Sequence, residues 1–234
     1  MSKGSEAKAR ILVWDIETRS LVGDYGSIFC IGWQWLGEKE IKVKSIHDIP
    51  GKHPLDDTQL VKWFIEKVWN EADIAVGWYS GGHDEPFLRT RAIIHHLPAP
   101  KPVTTLDLWG KVWKRFKFSK NSLDNVSRHL GLPEKIWSKT ADFEAVLFGD
   151  KKALKRIVTH CKRDVEITTA AYKIFAPYVV AHPRVVHDNW ACRTCGSDRL
   201  QKRGWKFSAA KGRQIQVWCK DCGSWDTKLP KELK

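Results

Sequence analysis

One eight-residue run, Ile11-Leu12-Val13-Trp14-Asp15-Ile16-Glu17-Thr18, constrains this chain more than any other. Four apolar residues lead directly into two carboxylates one residue apart. In an extended strand, side chains i and i+2 project from the same face. Asp15 and Glu17 therefore point the same way, at the end of a strand that otherwise demands burial. Two neighbouring anions repel each other, and a cation between them resolves the conflict. Hard divalent ions such as Mg²⁺ and Mn²⁺ take oxygen ligands of this kind. The alternative is an edge strand whose acidic side chains are solvated.

The segments downstream build on that strand. Ser27–Leu36 alternates as a second strand, Gly37-Glu38 turns, and Ile41, Val43 and Ser45 mark a third strand with one wet face. Asp56, Asp57 and Thr58 are N-cap candidates for a helix reaching about Glu71, with Leu60, Val61, Phe64, Ile65 and Val68 as its apolar stripe. Asp73–Trp78 reads as a short buried strand. The turn Ser80-Gly81-Gly82 then leads to Asp84 and a helix over about 86–96. Val103–Leu108 is a further strand, and Ser122–Leu130, closed by Gly131, a further helix. From Asp150, a plausible cap, a long helix runs from Lys151 to Phe175, with Leu154, Ile157, Val158, Cys161, Val165, Thr168 and Tyr172 as its buried stripe. Three strands, then helices and strands in alternation, predict an α/β fold: a mixed sheet flanked by helices.

With 234 residues the chain can fill one substantial core plus a small appendage. We expect a first domain over 1–178, a linker over 176–188, and a second unit over 188–234. The 40 Lys+Arg against 27 Asp+Glu, a formal charge of +13, point to a polyanionic partner, most simply nucleic acid. No apolar stretch resembles a signal sequence or is long enough to cross a membrane, so the expected location is the cytoplasm, or the host cytoplasm for a viral protein.

Two further groups carry chemistry. Asp84 follows a strand and a glycine turn, where α/β sheets place functional groups. His160 and Asp164 stand one turn apart on the long helix, expected at the rim of the core and facing the sheet's edge. Near the C-terminus, Cys192-Arg193-Thr194-Cys195-Gly196 and Cys219-Lys220-Asp221-Cys222-Gly223 form two knuckles. Four thiolates at this spacing suit a closed tetrahedral Zn²⁺ site, one structural zinc, and the trailing glycines suit the tight turns. Between them we expect a hairpin, with Trp205 and Phe207 on one arm, Ile215 and Val217 on the other, and Ser208–Gly212 at the tip. Residues 188–234 hold 11 Lys/Arg against 5 Asp/Glu. A nucleic-acid clamp using Lys211 and Arg213 is one reading, a folding cap or protein-docking element the other. Lys114, Arg115, Lys117 and Lys120, interleaved with aromatics, could guide a strand or cover an amphipathic helix.

Taken in order, Asp15-Ile16-Glu17-Thr18, Gly77–Leu88 with Asp84, and His160-Cys161-Lys162-Arg163-Asp164-Val165 resemble the three motifs of the DEDD 3′→5′ exonucleases. The branch associated with family B DNA polymerases is the more similar, with Leu106-Asp107-Leu108 and Ser122–Gly131 adding to the likeness. The resemblance spans about Arg10 to Tyr172 and implies a ribonuclease H-like fold. It implies that Asp15, Glu17, Asp84 and Asp164 hold two Mg²⁺ or Mn²⁺ ions for phosphodiester hydrolysis. Single-stranded or frayed DNA ends are the expected substrate, with Thr18 and Tyr79 meeting it, and a polymerase or other replication protein is conceivable as a partner. Two departures stand out. His160 occupies the place of a Tyr in that branch, while the other branch sets its His where Thr159 stands here. Tyr79 and His83 replace an Asn and an aromatic in the second motif. His160 is the expected general base or water-orienting group. An exoribonuclease, or a non-catalytic nucleic-acid-binding adaptor that kept the fold, are the alternatives.

Overall fold

The computed structural model describes residues 8–179, 182–187 and 191–230. The elements are β1 (Ile11–Thr18), β2 (Ile28–Trp35), β3 (Lys42–Ser45), α1 (Thr58–Lys67), β4 (Ile74–Gly77), α2 (Asp84–Ile94), β5 (Thr104–Asp107), α3 (Leu108–Arg115), α4 (Leu123–His129), α5 (Thr140–Leu147) and α6 (Lys151–Phe175). A second set follows: β6 (Leu200–Ser208), β7 (Gly212–Cys219) and β8 (Trp225–Lys228). The first five strands form one sheet in the order β3-β2-β1-β4-β5. β1 runs antiparallel to β2 and parallel to β4, so the sheet is mixed. This is the expected α/β architecture.

β1 lies at the centre of the sheet, and its two faces have different work. Leu12, Trp14 and Ile16 enter the main core with α1 and α2, where Trp14 stacks on Phe64 at 5.6 Å between ring centroids. Ile11 and Val13, on the other face, pack with Tyr172 and Ala176 at the end of α6. The two-residue strand period carries that second face on to Asp15 and Glu17, opposite the middle of α6. The helix closes tightly here because Gly32, paired with Asp15 in the ladder, has no side chain. A Cβ on Gly32 would sit 2.8 Å from Cys161 Sγ and 3.0 Å from Val165 Cγ2.

Several expectations need correction. α1 stops at Lys67 and passes into a 3₁₀ turn over Trp69–Glu71. Asp57 occupies its N-cap position without capping it. Instead its carboxylate, fully buried, accepts three bonds from Arg91 and one from the Ile28 amide, and meets His95 Nε2 at 2.6 Å. Removing one partner of such a buried charge costs about 3–5 kcal/mol, more than the loss of one helix cap. α5 is an element that the sequence pattern does not announce. It is two turns long, and Phe143 stacks on Phe29 at 6.2 Å. Asp150 caps α6 as expected, accepting from Lys152 N and Ala153 N.

The C-terminal strands form a separate three-stranded sheet, order β6-β7-β8, with β8 added to the expected hairpin. The tip falls where expected, and Gly212 takes φ +62° there. The knuckles are not detached from the first sheet. Cys192, Cys195, Cys219 and Cys222 share a buried cluster with Ile11, Val13 and Tyr172, and the Trp225 indole donates to Pro177 O at 2.6 Å. The expected linker is also tied down, since Val185 N and Val186 N both donate to Arg193 O. Residues 180–181 and 188–190 lie outside the described ones, and with them the expected boundary at 188. Among the described residues no helix is long and apolar enough to cross a membrane.

Candidate active site

Three elements deliver acidic side chains to one cavity of about 830 Å³. β1 supplies Asp15 and Glu17, α6 supplies His160 and Asp164, and the start of α2 supplies Asp84. Asp84 is fastened to β1 by a hydrogen bond from Ile16 N to its Oδ1, 3.2 Å. His160 and Asp164 are not at the sheet's edge but buried against its central strand. The reason is Gly32, which lets α6 lie directly on β1 and β2.

His160 reaches the carboxylates. Its Nε2 lies 3.1 Å from Glu17 Oε1 and 3.8 Å from Asp164 Oδ2. Its Nδ1–H donates to the Ile136 carbonyl, which leaves Nε2 as the nitrogen free to gain or lose a proton. The same loop, residues 131–139, inserts Lys135, whose Nζ lies 2.6 Å from Asp164 Oδ2. No spacing or periodicity in the sequence marks Lys135.

The electrostatics are those of a crowded anionic site. Burial pushes the Asp15 carboxyl well above its ordinary range, and the charges of Asp84, Glu17 and Asp164 add to the effect. Glu17 is raised likewise by burial and then by Asp164, with Lys135 opposing. Burial lifts Asp84 to about 7. Asp15 Oδ2 and Asp164 Oδ1 are buried with no hydrogen-bond partner. Ligand atoms of Glu17, His160 and Asp164 lie within 4.8 Å of one another. Oxygen donors gathered at this cost, two of them orphaned, fit hard divalent cations.

The rim is aromatic. Tyr79 holds φ +64° and is clamped by Asp107, which accepts from Tyr79 N (3.0 Å), Gly81 N (3.2 Å) and Trp109 N (2.9 Å). One carboxylate thus fixes both the turn and the start of α3. Tyr79 meets Trp109 edge-on at 5.2 Å, and Trp109 stacks on Trp113 at 5.9 Å with ring planes 5° apart. Neither Trp was expected here, although their i, i+4 spacing on α3 was visible. Thr18 and Tyr79 line the cavity. Lys114, Arg115, Lys117 and Lys120 are exposed and do not line it. Lys211 and Arg213 lie on the β6–β7 hairpin and do not line it either.

The four cysteines fit zinc. Sulfurs about 2.3 Å from a central Zn²⁺ form a tetrahedron with edges of about 3.8 Å. Cys192 Sγ–Cys222 Sγ and Cys195 Sγ–Cys219 Sγ both measure 3.7 Å.

The fold matches known structures. The family B DNA polymerase from the hyperthermophilic archaeon Pyrobaculum calidifontis superposes with a TM-score of 0.61 at 17% identity, over 76% of this chain and 26% of the polymerase. The chain thus spans about a quarter of that enzyme's length. E. coli Exonuclease I in complex with a dT13 oligonucleotide gives 0.47 at 10% identity, over 71% of this chain and 41% of that one. The zinc-ion-bound E. coli ExoI–ssDNA complex gives 0.49 at 12%, over 73% and 41%. At 17% identity the polymerase match speaks to fold alone. Among curated proteins, no sequence matches this one. Residues 12–175 match the sequence profile of the RNase_H superfamily, so the chain belongs to that superfamily.

Proposed function

We propose that this protein is a metal-dependent 3′→5′ exonuclease that releases nucleoside monophosphates from single-stranded or frayed DNA ends. The observation that supports it most is the meeting of Asp15, Glu17, Asp84 and Asp164 with His160 in one open cavity, with two carboxylate oxygens left unpartnered. The four carboxylates would hold two Mg²⁺ or Mn²⁺ ions. Bound there, such ions supply an acidified water and stabilise charge on the leaving oxygen. His160 Nε2 accepts the proton of the attacking water, and Glu17, 3.1 Å away, stabilises the imidazolium that results. Ile136 O fixes the ring's orientation through Nδ1. Tyr79 and Trp109 offer flat surfaces for the terminal base. The formal charge of +13 favours the polyanion.

The test is incubation with 3′- and 5′-labelled single- and double-stranded DNA and RNA, in Mg²⁺, Mn²⁺ or chelator. Stepwise loss of the 3′ label as mononucleotide, absent with chelator and with Asp15→Asn or Asp164→Asn, is expected. Mononucleotide release by Asp164→Asn at the native rate would overturn the assignment. Faster release from RNA than from DNA would make the enzyme an exoribonuclease.

A further inference from the structure

The β6–β7 hairpin takes no part in the cavity, and it is chemically one-sided. Between Asp198 and Asp221 the chain has seven Lys/Arg and no acidic residue. Lys202 to Phe207 are exposed without a break. Two of these six are large rings, Trp205 at 47% exposure and Phe207 at 72%. Each leaves apolar surface in water that burial would stabilise at about 25 cal/mol per Å², while the neighbouring β7 buries Ile215 and Val217. The ladder sets Phe207 opposite Arg213 and Trp205 opposite Ile215, so both rings and the guanidinium share a face. Arg213 lies 3.7 Å above the Trp205 ring, a cation–π contact that holds the ring in place. Arg199 pairs with Asp221, but among the described residues no ion pair engages Lys202, Arg203, Lys206, Lys211 or Arg213.

We propose that this face of the hairpin, Trp205, Phe207 and Arg213 with Lys202 beside them, is a second binding site for single-stranded nucleic acid. Bases stack on the rings and phosphates meet the cations. A protein partner would favour an apolar patch from which lysine is depleted. Here rings and cations interleave, and no acid is present to answer a basic partner. A duplex hides the faces of its bases within the stack, so the rings select an unpaired strand. The base of the hairpin is anchored. Gly223 backs onto Ala176 and Pro177, where a Cβ would come within 2.9 Å of Ala176 Cβ. The hairpin is therefore held at a fixed place relative to α6 and the carboxylate cavity. The proposal rests on the exonuclease reading only for its consequence, that a long strand gripped at both sites is degraded at lower concentration than a short one.

Binding is read without turnover, by fluorescence anisotropy of the zinc-loaded full chain in Ca²⁺. The probes are labelled oligo(dT) and oligo(rU) of about 20 nucleotides, longer than a typical single-strand site of roughly 4–16. Trp205→Ala with Phe207→Ala is expected to weaken both probes by about ten-fold or more. Lys202→Ala with Arg213→Ala lowers the slope of log K against log salt by about 0.7 for each phosphate that is no longer neutralised. Lys202→Glu with Arg213→Glu changes only exposed side chains on this face, so it keeps the proposal testable if the aromatic variant does not fold. It too should weaken binding at least ten-fold. Affinities and salt slopes equal to those of the native chain overturn the proposal. Since the assay needs no cleavage, a protein that binds through this face but releases no mononucleotide would sink the exonuclease reading and leave the hairpin site standing.

Discussion

Lys135 Nζ lies 2.6 Å from Asp164 Oδ2, inside the carboxylate cavity. The ammonium is largely buried, which by itself would lower its pKa. The charge and hydrogen bond of Asp164, with Asp15 and Glu17 behind, hold it above the ordinary lysine value instead. Lys135 is thus a built-in cation for a site that gathers anions. Lys135→Met removes it and leaves Asp164 uncompensated, which should destabilise the metal-free protein by about 3 kcal/mol. Saturating Mg²⁺ should shrink that deficit, because a bound cation takes over the neutralisation. Denaturant melts with chelator and with Mg²⁺ measure both quantities. A deficit that Mg²⁺ leaves unchanged would mean that Lys135 and the metal do not serve the same carboxylates.

The pH dependence of the metal-free protein has a definite sign. Asp84 is raised from 3.8 to about 7, mainly by burial, and Asp15 and Glu17 shift the same way. A carboxyl with a raised folded pKa keeps its proton in the folded state after the unfolded chain has lost it. Its contribution to stability is therefore complete below about pH 4 and is lost as pH rises through about 7. Thermal melts in chelator should show this decline across the window, superimposed on the trends of other groups. With Mg²⁺ the decline should flatten, since metal binding favours the ionised carboxylates. Parallel profiles with and without Mg²⁺ would argue that no metal binds these groups.

His160 is separable from the carboxylates by kinetics. With Nδ1 committed to Ile136 O and Nε2 turned to Glu17, its proposed role is to move a proton and not to bind the strand. His160→Ala should lower turnover by about 10²- to 10⁴-fold while oligonucleotide affinity in Ca²⁺ changes little. An undiminished rate would reduce His160 to a packing residue of α6.

What the sequence revealed of this site, and what it hid, divides along physical lines. β1 and α6 were legible to the residue, because an apolar run ending in Asp15 and Glu17 and a 25-residue amphipathic stripe behind an Asp150 cap are local signals. The direction of His160 was not. Helical spacing gives its angle on α6, but the wall it faces depends on Gly32, a glycine on another strand. Lys135 was invisible for the same reason: it reaches Asp164 from an irregular loop 29 residues away. Asp57 looks like a cap in the sequence because its real partners, Arg91 and His95, are 34 and 38 residues distant. Trp109 and Trp113 sat in view, yet nothing local connects them to Tyr79; Asp107 does that in three dimensions.

The docking of the cysteine knuckles can be isolated with two glycines. Gly223 and Gly212 both hold positive φ, +72° and +62°, so alanine at either pays the left-handed penalty of about 1–2 kcal/mol. They differ in surroundings. A Cβ on Gly223 meets Ala176 Cβ at 2.9 Å and Pro177 Cδ at 3.2 Å, whereas one on Gly212 meets nothing within 4 Å. Ala176 directly follows α6, the helix that bears His160 and Asp164. Gly223→Ala must therefore strain the turn and also push the knuckle off the end of that helix. It should lower the melting temperature by roughly 5–10 °C, and Gly212→Ala by about half as much, with zinc content unaltered in both. Gly223→Ala should also slow turnover, and Gly212→Ala should not. Equal losses of stability from the two changes, with turnover intact, would show that the knuckles merely rest beside the first sheet without supporting α6.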